Sequence, residues 1–416
     1  IIKVENVVVA DFKDDAGNLL QGATGSTVNV TFLRQGKTQT ATIKRESVEI
    51  HDVPHYSMVD DEIGYLVLRK FGDKASQETI TAVRALKNQG AKKLILDLRG
   101  NPGGLLTEAV NVTNIFVPQN QLVVTTKSKV EKYNKTYYTQ KEPIDTDIPL
   151  IVLIDGKSAS ASEIVAGALQ DLDRAVIVGT RSFGKGLVQR PKSLVYGTQI
   201  KITISRYYTP SGRCIQALDY WNRDESGKAT RVAKENYNAF KTRRGRTVYD
   251  GGGIQPDIEL EYSKLSPITT AISEENLVFN YATKYYYKNS VSDLKGFKLN
   301  DSDFSDFKNF LKSNNFSFET KTEKAFDEAL TIAKSEGLNA AIDSNYKAMT
   351  NALSTYKSKA IDENKTQIMS LLSDEIVKRY FYREGMYTYY IAHNSEIQDS
   401  KDLLKNQAKF LSYLNL

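Results

Sequence analysis

Cysteine and histidine are scarce in this sequence, and their scarcity excludes several kinds of site. The single cysteine, Cys214, rules out an internal disulfide and a metal site built from several cysteines. The histidines are His51, His55 and His393, and no cluster of histidine, cysteine and carboxylate has the spacing of metal ligands. We therefore predict no metal site. A serine nucleophile in this chain would have few histidines to serve as its base.

Long apolar runs and concentrated charge are also missing. No stretch reaches about 18 uninterrupted apolar residues, which predicts no membrane span. The 56 basic and 50 acidic residues leave a formal charge of only +6, without the basic stripe typical of nucleic-acid-binding proteins. The chain begins with Ile1 rather than Met and shows no signal peptide, so we expect it to be a fragment of a longer precursor.

The chain divides into three segments of different character. At 416 residues it is long enough for two or three domains of roughly 150 residues each. Residues 1–50 alternate apolar and polar positions around a Gln-Gly turn at 35–36, which predicts a hairpin in a small all-β domain. Residues 51–264 alternate strand-like and helix-like segments and include a polar, charged insertion at 217–250. Residues 265–416 have a mainly helical pattern.

The middle segment predicts an α/β fold. Strand-like runs separated by helical spacings are the order that builds a mostly parallel sheet with flanking helices. These runs are EIGYLVLRKF at 62–71, KKLILDL at 92–98, IPLIVLID at 148–155 and RAVIVG at 174–179. TQIKITISRYYT at 198–209 alternates with period two, so we expect an antiparallel strand that finishes the same sheet.

The C-terminal segment carries apolar residues at helical spacing. One stripe consists of Ile368, Leu371, Leu372, Ile376 and Tyr380, and Leu403, Leu404, Ala408 and Leu411 predict a last helix. KRYFYREGMYTYY at 378–390 mixes bases with aromatics, a pattern that also occurs in proteins that bind single-stranded nucleic acid. The apolar stripe favours a packed amphipathic helix instead, and we predict no nucleic-acid partner.

The stretch GTRSFGKGLVQ at 179–189 has almost the spacing of a phosphate-binding loop. Gly179, Gly184 and Lys185 fit its pattern of glycine, four residues, glycine and lysine. However, Gly186 replaces the hydroxyl residue that would bind Mg²⁺, and no helical run follows to face the phosphates. Nucleotide hydrolysis is therefore the weaker interpretation, and we expect Lys185 to have another role.

A serine-rich stretch, DGKSASASEIVAGALQD at 155–171, joins a predicted strand to a predicted helix. Ser160 and Glu163 have the spacing of a capping box, which would make the serine a helix cap. A serine at a strand–turn–helix junction is also exposed at the sheet edge, where free N–H groups of the helix can stabilise an anion. The local sequence favours the cap but leaves a nucleophile open.

A serine nucleophile needs a base, and two kinds of base stay open. The histidines carry no local motif, although a catalytic triad can join residues that are distant in sequence. Lys185 follows the next strand after Ser160, and loops at the carboxyl ends of neighbouring strands meet in space. A third loop at this edge, in LDLRGNPGGLL at 96–106, has Gly103 and Gly104. It is either a plain tight turn or a loop whose N–H groups bind an oxyanion.

Taken together, these motifs resemble the C-terminal processing peptidases, the tail-specific protease family of serine endopeptidases with a Ser–Lys dyad. DLRGNPGGLL, SASASEIVAGALQD, SFGKGLVQ, YYTPSGR and GGIQPDI occur in that family's order and spacing, over roughly residues 1–262. The resemblance implies that Ser160 is the nucleophile, that Lys185 is its base and that Gln189 orients the lysine. No cofactor is implied.

The resemblance also assigns supporting residues. The backbone amides of Gly104 and Ala161 would form the oxyanion hole. Gly103 and Asp171 also fall on positions that resemble functional positions of the family. Lys185, which nearly fits a phosphate-binding loop, is by this resemblance a general base.

The family resemblance further implies a PDZ-like domain before the core, which binds the free C-terminus of a substrate by strand addition. Residues 1–50 resemble the later strands of such a domain, and its first strand and carboxylate-binding loop are expected to be absent. Two features depart from the family. We expect the insertion at 217–250 to decorate the cleft rather than gate it. The extension at 265–416 is expected to form a homo-oligomer or a substrate channel.

The sequence therefore predicts a serine endopeptidase in the bacterial cell envelope, periplasmic or exported. Its expected partners are proteins and peptides with free, unstructured, apolar C-termini. Substrate and location rest on the resemblance alone. Two other classes of protein are alternatives. One is a catalytically inactive, PDZ-containing scaffold, which the intact Ser160, Lys185 and Gln189 disfavour. The other is a nucleotide hydrolase, which would depend on ATP or GTP.

Overall fold

The chain folds as two compact units, Ile1–His51 and Asp52–Leu416. A computed structural model describes residues 1–260 and 264–416, apart from the side chain of residue 339. The strands of the first unit are β1 (Lys3–Val4), β2 (Val7–Val8), β3 (Thr27–Arg34) and β4 (Lys37–Lys44). They form one antiparallel sheet in the order β2-β1-β3-β4.

The hairpin predicted in the first unit is confirmed. Gln35 and Gly36 connect β3 to β4 with φ angles of 49° and 75°, the pair of left-handed residues that tight hairpin turns use. The buried core of this unit consists of Val4, Val28 and Val30, packed against partly buried neighbours. So small a core agrees with the expectation that these residues alone make a weak domain.

The second unit contains the other strands and the helices. Its strands are β5 (His55–Met58), β6 (Ile63–Val67), β7 (Lys93–Asp97), β8 (Leu122–Lys127), β9 (Lys135–Tyr138), β10 (Leu150–Ile154), β11 (Val176–Gly179), β12 (Leu187–Ser193), β13 (Gln199–Tyr208), β14 (Leu218–Arg223), β15 (Ala229–Arg231), β16 (Ala239–Lys241), β17 (Thr247–Tyr249) and β18 (Ile258–Glu259). Its helices are α1 (Ala75–Asn88), α2 (Leu106–Asn114), α3 (Ala161–Asp171), α4 (Pro267–Glu274), α5 (Leu277–Lys288), α6 (Asp301–Ser313), α7 (Lys321–Ser335), α8 (Asn339–Glu363), α9 (Lys365–His393), α10 (Ser395–Lys405) and α11 (Gln407–Ser412).

The main sheet has the order β18-β11-β10-β7-β6-β5, and every neighbouring pair is parallel except β5 with β6. Helices α1 to α3 pack on one face, and the end of α9 packs with α10 and α11 on the other. Along β7, Leu94 and Leu96 therefore face α1 to α3, while Ile95 faces the C-terminal helices. This two-sided burial explains the continuous apolar strands, and the predicted α/β fold with a mostly parallel sheet is confirmed.

A second, antiparallel sheet has the order β12-β13-β8-β9. β13 pairs with β12 and β8, so the prediction that this strand finishes the main sheet is wrong. Period-two alternation indicates a strand with two different faces but does not identify its partner. β12 and β13 are joined by a short turn, and such neighbours pair with each other first. The hairpin begins two residues after Lys185, which makes it an extension of the lysine loop.

The insertion at 217–250 forms two short hairpins, β14 with β15 and β16 with β17. The second hairpin is tied to the core by charge pairs. Arg246 contacts Asp173 at 2.6 Å, just after the end of α3, and Asp257 at 2.5 Å, just before β18. These ion pairs fix the insertion on the surface of the α/β core.

The C-terminal region is helical, as its sequence pattern predicts. Ile368, Leu372 and Ile376 are fully buried on one side of α9, which confirms the predicted stripe. The predicted last helix is instead two helices, α10 and α11. Asn406 lies between them and caps α11 by accepting a hydrogen bond from Lys409 N–H at 3.1 Å. A capping asparagine starts a new helix and ends the one before it.

Helix α9 is interrupted at Tyr382, whose φ of 56° and ψ of −158° are not helical. After this break, Met386 and Tyr389 are buried, and Ile391 joins the cluster on the second face of the main sheet. The stretch at 378–390 is thus packed in part, with Met386 and Tyr389 buried and Tyr382 exposed. Among the described residues, no helix combines the length and the apolar character needed to cross a bilayer.

Candidate active site

Ser160 lies at the junction of a strand and a helix, half-buried, with an unusual backbone. β10 ends at Ile154, and α3 begins at Ala161. The φ and ψ angles of Ser160 are 56° and −111°, whereas an ordinary helix cap has extended backbone angles. Ser160 and Glu163 form the predicted capping box, in which Ser160 N–H donates to Glu163 Oε2 at 2.8 Å, but a cap does not explain the backbone angles of Ser160. A strained turn of this kind characterises nucleophiles placed between a strand and a helix.

The glycine loop after β7 packs directly against this serine turn. Ala159 N–H donates to Asn101 O at 3.0 Å, and Gly103 N–H donates to Asn101 Oδ1 at 2.9 Å. The N–H group of Gly103 therefore already has a hydrogen-bond acceptor. In the part of the chain that the structure describes, the N–H groups of Gly104 and Ala161 have no hydrogen-bond partner. Two free N–H groups beside the serine turn are what an oxyanion hole requires.

Replacing Gly103 by alanine is expected to lower both activity and stability. Its φ of +97° is left-handed, and an added Cβ would lie 2.6 Å from Ala159 O and 2.8 Å from Ser160 Cβ. We expect a loss of about 2–3 kcal/mol in the free energy of unfolding and about a hundredfold lower kcat. Thermal melting and steady-state kinetics would measure both quantities.

Gly156→Ala is the matched control, because an added Cβ there meets only Arg181 O at 3.9 Å. If Gly103→Ala behaved like this control, the close approach of the glycine loop to Ser160 would be wrong.

A buried carboxylate joins the serine turn to the lysine loop. Glu163 Oε1 accepts hydrogen bonds from Ser182 Oγ and Gly184 N–H, both at 2.6 Å. Glu163 Oε2 accepts from Lys185 N–H at 2.9 Å in addition to Ser160 N–H at 2.8 Å. Burial raises the pKa of the Glu163 carboxyl, and these hydrogen bonds oppose the rise. The sequence pattern predicts Glu163 only as a cap partner and does not indicate its contacts with the lysine loop.

A second link between the two segments comes from Tyr207 on β13. Its hydroxyl donates to the carbonyl oxygens of Lys185 and of Ser160, the latter at 3.3 Å. Tyr207 is fully buried, and burial raises the pKa of its hydroxyl well above the usual range. The hydroxyl therefore stays a donor. Nothing in the sequence indicates this contact beyond the position of Tyr207 in a predicted strand.

Gln189 and Asp171 are not brought to Ser160, and among the described residues no hydrogen bond joins the side chain of Lys185 to that of Ser160. Gln189 lies on β12 with its side chain exposed, and no hydrogen bond joins it to Ser160 or Lys185 among the described residues. Asp171 ends α3, about 15 Å from Ser160 at 1.5 Å per residue. Its buried side chain pairs with Arg213 at 2.8 Å and accepts from Ser211 N–H at 2.9 Å. Asp171 thus anchors the turn after β13.

The other bases considered from the sequence are engaged elsewhere. The Nε2 atom of His55 lies 3.0 Å from Ser57 Oγ, and that of His393 lies 2.8 Å from Lys295 O. The nucleotide interpretation also lacks its geometry, because a strand, β12, follows Lys185 where a phosphate-binding loop has a helix. Among the described residues, no group of three or more His, Cys, Asp or Glu side chains is placed to hold a metal ion.

A serine with unusual backbone angles at a strand–helix junction of a parallel sheet, beside a glycine loop, is an arrangement typical of serine hydrolases with an α/β fold. Residues 62–220 match the family described as "Peptidase family S41". The resemblance to the C-terminal processing peptidases is thereby confirmed. Residues 268–404 match "Probable PDZ-protease, C-terminal helical domain".

Curated relatives carry matching names. A carboxyl-terminal-processing protease of Picosynechococcus is 37% identical over 212 residues, which are 49% of this chain and 50% of the relative. A carboxy-terminal-processing protease of Bartonella bacilliformis is 37% identical over 49% of this chain and 48% of its own. The solved photosystem II D1 C-terminal processing protease is 28% identical, with a TM-score of 0.40 over 63% of this chain and 62% of that one. The chain spans about half the length of the curated relatives it matches.

Proposed function

We propose that this protein is a serine endopeptidase that uses Ser160 as its nucleophile and Lys185 as its general base. The observation that carries the proposal is the shared anchoring of the two residues. Glu163 Oε2 accepts from the backbone N–H groups of both Ser160 and Lys185. The strained backbone of Ser160 adds support, because strain of this kind collects at functional sites.

The reaction would be acyl transfer in two stages. Neutral Lys185 takes the proton from Ser160 Oγ as the oxygen attacks the carbonyl carbon of the substrate. The N–H groups of Gly104 and Ala161 bind the oxyanion of the tetrahedral intermediate. The C–N bond then breaks, and the lysine ammonium gives its proton to the leaving amine. Water, deprotonated by the same lysine, hydrolyses the acyl-enzyme and restores Ser160. By the family resemblance, Gln189 would orient Lys185.

The finer properties of the function belong to the same proposal. The names of the curated relatives support cleavage near protein C-termini. We infer that substrates have unstructured, apolar tails, and that the antiparallel sheet of the first unit is part of a PDZ-like domain that binds them. Location in the cell envelope and oligomerisation through the C-terminal helices stay predictions.

The test is cleavage and covalent labelling of the full-length protein, with EDTA and without nucleotide. One disordered substrate has an apolar C-terminal tail, and a matched substrate ends in two aspartates. We expect mass spectrometry to find products from the apolar-tailed substrate alone. A fluorophosphonate probe, which reacts with activated serine hydroxyls, should modify Ser160 and leave Ser158 and Ser162 unmodified.

Ser158 and Ser162 are good internal controls because both hydroxyls are buried and donate to backbone carbonyls, at 2.8 Å to Leu98 O and 3.0 Å to Asn101 O. Labelling of another serine would contradict the choice of nucleophile. Binding of the tail without cleavage or labelling would make the protein a scaffold, and dependence on ATP or GTP would make it a nucleotide hydrolase.

A further inference from the structure

Arg99, at the start of the glycine loop, contacts the C-terminal helices. Its Nη1 donates to Asn394 Oδ1 at 3.0 Å and contacts the Glu396 carboxylate, at the junction of α9 and α10. On the other side, Arg99 Nε and Nη2 donate to the Asp97 carboxylate at 3.0 Å and 2.5 Å. Tyr65 OH donates to the same carboxylate at 2.6 Å. The guanidinium thus bridges the end of β7 and a junction that lies 295 residues further along the chain.

This bridge is largely shielded from water. The exposed fractions of the side chains are 15% for Arg99, 6% for Asp97 and 20% for Glu396. Shielded, charge-assisted hydrogen bonds are stronger and more directional than surface ion pairs. Asn394 also accepts from Ile397 N–H at 3.1 Å as the cap of α10, which fixes the position of its oxygen. The contact is therefore suited to hold Arg99 in one place.

Arg99 is the residue at which the glycine loop leaves its strand. The next residue, Gly100, donates its N–H to Asp155 Oδ1 at 2.9 Å. Asp155 also accepts from Ser158 N–H at 3.0 Å, at the start of the serine turn. A displacement of Arg99 would thus be passed to the loop and to the turn at the same time.

We propose that Asn394 and Glu396 are positioning residues for the oxyanion hole, acting through Arg99 on the loop that carries Gly104. This inference rests on the proposed peptidase function and deepens it, since it gives the C-terminal helices a part in turnover. The N–H donors must meet the oxyanion as it forms, and a shift of about 1 Å in such a site costs about a hundredfold in rate. Substrate binding does not need the oxyanion contact, so the effect should fall on kcat rather than on KM.

The experiment compares variants of the full-length protein that break different contacts of α10. Glu396→Ala is expected to lower kcat about tenfold to a hundredfold with KM within about twofold. Glu396→Gln keeps an acceptor oxygen and should recover part of the loss. Asn394→Ser keeps a capping oxygen but is too short for Arg99, so it should lower kcat and leave melting nearly unchanged. These last two variants serve as the test if Glu396→Ala does not fold.

Lys405→Ala is the matched control. Lys405 also joins α10 to the sheet, by an ion pair of 3.0 Å with Asp60, but Asp60 precedes β6 at the opposite edge of the sheet. We expect this variant to keep kcat within about twofold, and amide hydrogen exchange at 100–105 to increase in Glu396→Ala but not in Lys405→Ala.

Equal kcat in the Glu396 and Lys405 variants, or a loss confined to KM, would overturn the inference while leaving the peptidase proposal intact. A wild type that neither cleaves nor is labelled would overturn the peptidase proposal. Amide exchange would then still decide whether the junction holds the loop.

Discussion

Ser160→Ala is expected to reduce kcat for the apolar-tailed substrate by at least about 10⁴-fold, with the fold intact. The hydroxyl is the proposed attacking group, and its removal leaves only the oxyanion donors and substrate binding. Lys185→Met, which keeps the length of the side chain and removes the base, should cause a loss of similar size, because the two residues act as one unit. Single-turnover cleavage followed by mass spectrometry would measure the loss, and melting would show that both variants fold.

Lys157→Met and Ser158→Ala are the matched controls for this prediction. Lys157 is an exposed lysine on the same turn as Ser160, so its replacement should leave kcat nearly unchanged. Ser158→Ala removes a buried hydrogen bond to Leu98 O and is expected to cost about 1 kcal/mol of stability with activity retained. Cleavage by Ser160→Ala at the wild-type rate would mean that another residue is the nucleophile. A loss in Lys157→Met equal to that in Lys185→Met would mean that the loss of activity does not identify Lys185 as the base.

The fold could be predicted from the sequence where the signal is local. The buried strands β6, β7, β10 and β11 appear as apolar runs because both of their faces are covered. The hairpin in the first unit has its own turn residues. The choice of which strands pair with each other is not a local property, and for this reason the prediction placed β13 in the wrong sheet. The last helix was predicted as one because the spacing of Leu403, Leu404 and Leu411 continues through Asn406, whereas the cap at Asn406 divides it.

The candidate site could be predicted only in part, for a similar reason. Ser160, Lys185 and the two glycines follow apolar strands, so their common edge of the sheet is predictable. Glu163 had a complete local explanation as a cap partner, and that explanation hid its contacts with the lysine loop, 19 to 22 residues away. The contact of Arg99 with Asn394 and Glu396 spans almost 300 residues and has no sequence signature. Such contacts follow from tertiary packing alone.

Glu163→Gln tests the contact that the sequence did not reveal. All four hydrogen bonds of the carboxylate are accepted, two by each oxygen, from Ser160, Ser182, Gly184 and Lys185. The glutamine amide has one acceptor oxygen and one NH₂ donor group. Whichever way the amide is turned, its NH₂ group takes the place of an oxygen that accepted two hydrogen bonds, and it faces those two donors. Two buried donors then lose their partner, at about 1–3 kcal/mol each. We therefore expect a loss of about 2–6 kcal/mol in unfolding free energy and at least about a hundredfold lower kcat.

A second capping glutamate in the chain separates these effects from the loss of a helix cap. Glu323, three residues after Thr320 at the start of α7, accepts from Thr320 N–H at 2.7 Å and contacts the Lys357 ammonium at 2.9 Å. Glu323→Gln can keep its oxygen toward Thr320, so it should cost about 1 kcal/mol or less and leave kcat unchanged. If both variants showed the same small loss, Glu163 would be only a helix cap, and the serine turn and the lysine loop would be held together by other contacts, such as those of Tyr207 and the bond from Phe183 N–H to Ser158 O at 3.0 Å.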